Sequence, residues 1–148
     1  MPQVDFYVLP REELSARLEF VCRLAEKLFK MGKPTQIALP DQDSVKQLDQ
    51  MLWAYPAEAF IPHSCDTPSN STPNAMELIH LSVGSTPRSD AGQGVLINLC
   101  PSTVEAPAAF ERLVEVVVKA PEVLTATRQH FKTYRELGYS IQSHDIAH

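Results

Sequence analysis

A group of cationic and aromatic side chains near the C-terminus has the residue types and spacing of a ligand-binding surface. Residues 121–139 include Arg128, Lys132 and Arg135, which fall at i, i+4 and i+7 and therefore share one face of a helix. Phe131 lies beside them. Guanidinium and ammonium groups bind carboxylate oxygens, and an aromatic ring can cover an apolar group. The pattern suits an acidic peptide that ends in an apolar side chain and a carboxylate.

The ends of this helix are marked by two residues. Pro121 fits the first turn, where a missing N–H has no cost, and Gly138 fits the position just past the end, where a left-handed backbone is needed. Tyr134 and Tyr139 lie close to the cations in the sequence. An alternative interpretation is that the cations form an ordinary solvated face and that the aromatic residues belong to the core. The residues alone leave both interpretations open.

The composition is that of a soluble globular protein. The chain has 148 residues, of which 44% are hydrophobic and 21% charged, so we expect one α/β domain spanning residues 1–148. The formal net charge of −5 argues against non-specific attraction to nucleic-acid phosphates. A basic surface on an acidic protein instead indicates a specific anionic partner.

The cysteines and histidines bear on the cellular location of the protein and on whether it binds a metal. The three cysteines are Cys22, Cys65 and Cys100, with no C-x-x-C pair, which favours reduced thiols and a cytoplasmic location. Neither a signal peptide nor a membrane-spanning run is expected. His144 and His148 are four residues apart, but a frayed C-terminus is favoured over a metal site because further ligands are missing nearby.

Hydrophobic periodicity predicts alternating strands and helices. A strand is expected from residue 4 to 9, a long amphipathic helix over 11–31, a second strand over 35–39, and a second helix capped by Asp41 and ending near Trp53. The remaining predicted elements are a short strand or turn at 57–63, strands at 76–83, 95–99 and 114–118, a short helix at 106–113, and loops at 64–74 and 84–94. This order predicts a three-layer α/β sandwich with a mostly parallel sheet.

The chemistry of a nucleotide-binding enzyme is missing from the expected positions. The first strand-to-helix turn, residues 9–13, has no glycine and carries the carboxylates of Glu12 and Glu13 where a phosphate would lie. Neither G-x-S-x-G nor H-E-x-x-H occurs. The fold is therefore expected to resemble a degenerate nucleotide-binding fold without a phosphate loop. A nucleotide-binding or hydrolase-type enzyme and a direct single-stranded nucleic-acid binder remain as alternative functions.

A second distinctive stretch combines aromatic residues with prolines. Trp53, Tyr55 and Phe60 lie around Pro56 and Pro62. Such a group can form a protein-binding surface, since aromatic side chains offer large contact areas at a small entropic cost. Alternatively, Trp53 and Phe60 are core residues that flank a bend.

Taken together, the two stretches resemble the chi-subunit family of bacterial DNA polymerase III. The resemblance covers nearly the whole chain and is most specific in LDxxLWxxPAExFIPH, which begins at Leu48. A second block, RxxFKxYRxxGY, begins at Arg128. The resemblance implies a non-catalytic adaptor subunit in DNA replication, without a cofactor or a metal. Such a subunit would bridge the clamp loader, through the psi subunit, to the acidic C-terminal tail of single-stranded-DNA-binding protein, contacting DNA only indirectly.

The resemblance also implies roles for individual residues. Arg128 and Lys132 would meet the carboxylates of the tail, and Phe131 would line the pocket for its terminal aromatic residue. The neighbours implied at the same site are Tyr134, Arg135 and Tyr139, and a contact with the psi subunit is implied near Trp53 and Phe60. Tyrosine is common in the family where this chain has Phe131, so a hydrogen bond from that ring is lost here.

Overall fold

The computed structural model of the chain describes residues 3–53, 63–65, 79–84, 94–101, 104 and 110–146. The helices in these ranges are α1 (Leu14–Lys30), α2 (Gln42–Trp53) and α3 (Pro121–Glu136). The strands are β1 (Gln3–Val8), β2 (Thr35–Leu39), β3 (His63–Cys65), β4 (Ile79–Val83), β5 (Val95–Asn98), β6 (Arg112–Val117) and β7 (Ser140–Asp145).

The described strands form a single sheet with the order β3-β4-β2-β5-β6-β1-β7. Each pair of neighbours in that order is parallel. The central strands β2 and β5 are buried along their whole length, which explains why they read as short apolar runs rather than as alternating patterns. The predicted α/β class with a mostly parallel sheet is confirmed.

The helices lie on both faces of this sheet. Phe6 and Tyr7 are consecutive in β1, so their side chains point to opposite faces. The Phe6 ring lies 5.7 Å from the ring of Phe131 in α3, whereas the Tyr7 ring lies 5.3 Å from the ring of Phe20 in α1. Because α2 packs against α1, it shares the face of Tyr7. The three-layer arrangement is thus confirmed, with α3 on the face opposite α1 and α2.

Local sequence signals place the ends of the first two helices. The α1 helix buries Val21, Ala25 and Leu28 along one stripe and gives way to Gly32, whose φ of 70° is left-handed. Before α2, the carboxylate of Asp41 accepts a hydrogen bond from the backbone N–H of Ser44 at 2.8 Å. The predicted N-cap is therefore confirmed.

Three sequence predictions were wrong. Residues 63–65 form β3 beside β4, although a loop was expected from residue 64. The helix expected over 106–113 conflicts with β6, which begins at Arg112, while residues 105–109 lie outside the described ranges. His144, expected in a frayed C-terminus, lies instead in β7, whose polar residues pair with β1 at the edge of the described sheet, while His148 is outside the described ranges. An edge strand of this kind needs little apolar character, so periodicity misses it.

A buried carboxylate joins the three strands at this edge. The Asp5 side chain is only 1% exposed, and its oxygens accept hydrogen bonds from Arg112 Nε at 2.6 Å and His144 Nε2 at 3.0 Å. The Arg112 Nη2 group also donates to the hydroxyl of Tyr7 at 2.6 Å, and the His144 ring stacks on that of Tyr7. Burial alone would raise the pKa of Asp5, but the hydrogen bonds from His144 and Arg112 outweigh it and lower this pKa.

We expect Asp5→Asn to lower the free energy of unfolding at pH 7 by about 2 kcal/mol, because it removes the charge that Arg112 and His144 face. A carboxyl group whose pKa is lower when folded stabilises the protein above its unfolded pKa, near pH 4, and this stabilisation is lost as the pH falls through the folded pKa. Urea unfolding at pH 7, 5, 4 and 3 measures the effect. The wild type should lose more stability than the variant between pH 5 and 3. Equal losses in the free energy of unfolding would contradict the role assigned to Asp5.

Candidate cationic binding surface

The α3 helix connects β6 to β7 and lies on the sheet face that carries Phe6. It begins at Pro121, and the chain turns at Gly138, whose φ is 78°. Both predicted ends are confirmed. The residues that α3 buries are Val123, His130 and Tyr134, which face the sheet and leave the opposite side of the helix to solvent.

Three cations occupy that solvent side. Arg128, Lys132 and Arg135 are exposed, and their spacing of four and three residues places them on one face. Within the described parts of the chain, none of them forms an ion pair with an acidic side chain. We call these three residues the cationic face. Their charges remain available to an anionic partner.

Phe131 forms an apolar border to the cationic face. Its side chain is 42% exposed, which is unusual for so large an apolar residue. The buried part of the ring rests on Phe6, itself 3% exposed, at an interplanar angle of 51°. The contact fixes the ring against the sheet while a large part of it faces solvent. Phe131 can therefore cover an apolar group of a ligand without first becoming ordered.

Tyr134 lies behind this surface rather than on it. Its side chain is 1% exposed, and its hydroxyl donates to Glu115 Oε2 at 2.7 Å. Burial and the Glu115 carboxylate raise the pKa of Tyr134 above its ordinary value. Tyr139 is half-buried and packs its ring against that of Tyr134. The sequence left open whether these aromatic residues belong to the core or to the surface; Tyr134 belongs to the core, whereas Phe131 is exposed.

A polar network beneath α3 was missed by the sequence predictions. Glu115, on β6, is 4% exposed and accepts hydrogen bonds from Asn98 Nδ2 at 3.0 Å and from Tyr134. Its other oxygen lies 3.0 Å from Nδ1 of His130. Asn98 and Glu115 are directly opposite each other in β5 and β6. A polar residue next to the apolar residues of each of these two strands was the signal that could have revealed them, since a buried polar group requires a partner.

The crevice at the carboxyl ends of β5 and β6 is where folds of this type bind nucleotides. It encloses about 270 Å³ and is lined in part by Arg17, Glu115 and Glu122. The Arg17 Nε and Nη2 groups donate to the backbone carbonyls of Val116 and Leu99, both at 3.2 Å. With these donors engaged and two carboxylates on the wall, the crevice is poorly suited to phosphate.

Two further properties concern only the described residues. They contain no group of three or more His, Cys, Asp or Glu side chains placed to hold a metal ion. None of their helices combines the length and the apolar character that a membrane span requires. Trp53 ends α2, but its side chain and the whole of Phe60 lie outside the described part, so the proposed psi contact stays a prediction.

Comparison with known proteins relates this arrangement to a replication subunit. The family described as "DNA polymerase III chi subunit, HolC" matches residues 1–142. The DNA polymerase III subunit chi of Pseudomonas aeruginosa is 40% identical over 149 residues, covering 99% of this chain and 98% of the relative. The Escherichia coli protein of the same name is 30% identical and covers 97% of each chain. The chain therefore belongs to the DNA polymerase III chi subunit family.

Proposed function

We propose that this chain is an adaptor that connects the clamp loader to single-stranded-DNA-binding protein. The cationic face and Phe131 bind the acidic C-terminal tail of that protein, and a separate surface binds the psi subunit. The observation that carries the proposal is a set of three exposed cations beside a half-exposed aromatic ring, on a chain with a net charge of −5. Among the residues that the structure describes, none of these cations forms an ion pair. Such a local charge reversal favours one acidic partner over anions in general.

Charge and shape have separate roles in this interaction. Arg128 and Lys132 are one helical turn apart, so neighbouring carboxylates of an extended peptide can each meet a cation. A guanidinium binds a carboxylate with two parallel hydrogen bonds, which also fixes the orientation of the peptide. Phe131 supplies an apolar surface for the terminal aromatic ring of the tail. Phe131 contributes only its ring, since phenylalanine has no hydroxyl group that could donate a hydrogen bond.

The affinity of one such site should be modest. A disordered tail loses conformational entropy when it binds. Screening by solvent and salt also weakens the attraction between the exposed cations and the carboxylates of the tail. Because the adaptor is tethered to the clamp loader through psi, each binding event takes place at a raised effective concentration. A modest affinity therefore suffices to hold the polymerase assembly near coated single strands while allowing the contact to exchange.

The two proposed partners have room to bind together. The C-terminal end of α2, where Trp53 lies, belongs to the layer of α1 and α2, and the cationic face belongs to α3 on the other side of the sheet. Contacts on opposite faces do not compete for the same surface. This separation supports a bridging role rather than an exchange of one partner for the other.

We expect Arg128→Ala to weaken binding of an acidic tail peptide by about 2 kcal/mol, or roughly 30-fold, because one cation of the cationic face is removed. Isothermal titration calorimetry at low salt measures this loss, and added salt should reduce the difference between wild type and variant. Lys46→Ala is the matched control, since Lys46 is an exposed cation on α2. Equal losses in both variants would show that only net charge matters and that the site is wrongly placed.

Phe131 provides a test of the apolar part of the interaction. Phe131→Ala should weaken peptide binding by about 1–2 kcal/mol with little effect on the salt dependence, because the ring contributes contact area rather than charge. Phe131→Tyr keeps the ring and should bind at least as tightly as the wild type. Wild type and both variants are each measured with the tail peptide and with a peptide that lacks the terminal aromatic residue. If Phe131→Ala weakened both peptides equally, the ring would not be the pocket for that residue.

The bridging role predicts a three-component complex. Sedimentation velocity of the chain with psi and single-stranded-DNA-binding protein, at concentrations above the dissociation constant of the tail, should give one species that contains all three, and Arg128→Ala should release only the last. Deleting the acidic tail from single-stranded-DNA-binding protein should have the same effect. A gel shift with single-stranded DNA and the chain alone is the control: a shift without the tail-bearing protein would favour direct nucleic-acid binding instead.

A further inference from the structure

The ring of His130 faces two hydrogen-bond acceptors inside the protein. His130 is 2% exposed and lies on the sheet-facing side of α3. Its Nδ1 atom is 3.0 Å from Glu115 Oε1, and its Nε2 atom is 3.0 Å from the backbone carbonyl oxygen of Pro101. A carbonyl oxygen can only accept, and so can an ionised carboxylate. A neutral imidazole has one N–H and cannot donate to both, so the His130–Glu115 pair must hold one additional proton.

The surroundings of Glu115 decide which partner carries that proton. Its Oε2 atom accepts hydrogen bonds from the Asn98 side chain at 3.0 Å and from the Tyr134 hydroxyl at 2.7 Å. The guanidinium of Arg17 adds positive charge from the α1 side. Three side chains thus converge on the two oxygens of Glu115, each placed to donate a hydrogen bond to it. On this geometry we assign the additional proton to the imidazole ring.

We propose that His130 and Glu115 form a buried imidazolium–carboxylate clasp that holds α3 against β6 and positions the cationic face. The clasp consists of these two side chains and the Pro101 carbonyl. Among the described residues, the other titratable or charged groups that line the surrounding space are Tyr134 and Glu122 of α3, Arg17 of α1, and Cys100 just after β5.

The position of the clasp within α3 links it to the binding surface. His130 lies between Arg128 and Phe131, so the anchored side chain belongs to the same helical turn as two of the proposed ligand contacts. Loss of the second ring proton would turn a lone pair of Nδ1 toward the carboxylate and remove the hydrogen bond. The Nε2–H group would still donate to the Pro101 carbonyl, but the link from this turn of the helix to Glu115 of β6 would be lost. The clasp is thus present at neutral pH and is released as the pH rises.

The test of the clasp is the protonation of the His130 ring, measured by nitrogen-15 NMR of the histidine side chains in the wild-type protein from pH 6 to 9. We expect both ring nitrogens of His130 to carry protons at pH 7.5, where an ordinary imidazole has lost one. Glu115→Gln should leave one ring proton at the same pH. His144→Gln is the control, since His144 lies at the opposite sheet face beside Asp5, and it should leave the His130 signals unchanged. A wild-type ring with a single proton at pH 7.5 would overturn the proposal.

The effect on the binding surface rests on the proposed function and has a separate readout. His130→Gln should lower the affinity for the tail peptide about fivefold at pH 7. It should also make this affinity less dependent on pH between 7 and 9. A doubly protonated ring with unchanged peptide affinity in His130→Gln would reject the positioning role but keep the clasp. If Arg128→Ala also left the affinity unchanged, the tail site itself would be wrong, whatever the state of His130.

Discussion

The structure around α3 depends on the hydrogen bonds that converge on the carboxyl group of Glu115. A carboxyl group that is 4% exposed is tolerated only where hydrogen-bond partners compensate for the lost water, and here Asn98, Tyr134 and His130 converge on it. These partners come from β5 and from two turns of α3. The network thus fixes both the position and the rotation of the helix on the sheet. An apolar contact would allow more sliding, because the hydrophobic effect has no direction.

The rotation of α3 determines which chemistry faces solvent. With His130 and Tyr134 directed to the sheet, the helical spacing turns Arg128, Lys132 and Arg135 away from it, and Phe131 is left at the border. Phe6 then supports the ring of Phe131 from below. A surface that is organised in this way before binding avoids part of the entropic cost of ordering long cationic side chains next to a mobile ring. The buried polar network and the exposed cationic face are therefore two sides of one arrangement.

The same sheet carries a second buried carboxylate on its other face. Asp5 joins β6 and β7 to β1 through Arg112 and His144, as Glu115 joins α3 to β5 and β6. Each carboxylate lies inside the fold and connects elements that are distant in the sequence. Both therefore favour a single arrangement of the strands and the helix that carry their hydrogen-bond partners. Meanwhile the crevice that binds nucleotides in related folds is occupied by the Arg17–carbonyl contacts and by acidic side chains. Among the described residues, this parallel α/β architecture therefore places engaged Arg17 donors and acidic side chains where a phosphate would lie.

The sequence by itself determined the features that depend on neighbouring residues. Proline and glycine marked the two ends of α3, Asp41 marked the start of α2, and the spacing of four and three residues placed the cations on one face, because turn chemistry and helical periodicity are local properties. Only the tertiary structure decided that Tyr134 is buried while Phe131 is exposed, that Glu115 and His130 are in contact, and that the polar C-terminal segment is a strand. His144 and Asp5 are 139 positions apart, and β7 pairs with β1 across nearly the whole chain. Contacts of this kind depend on the order of strands in the sheet, which local periodicity does not contain.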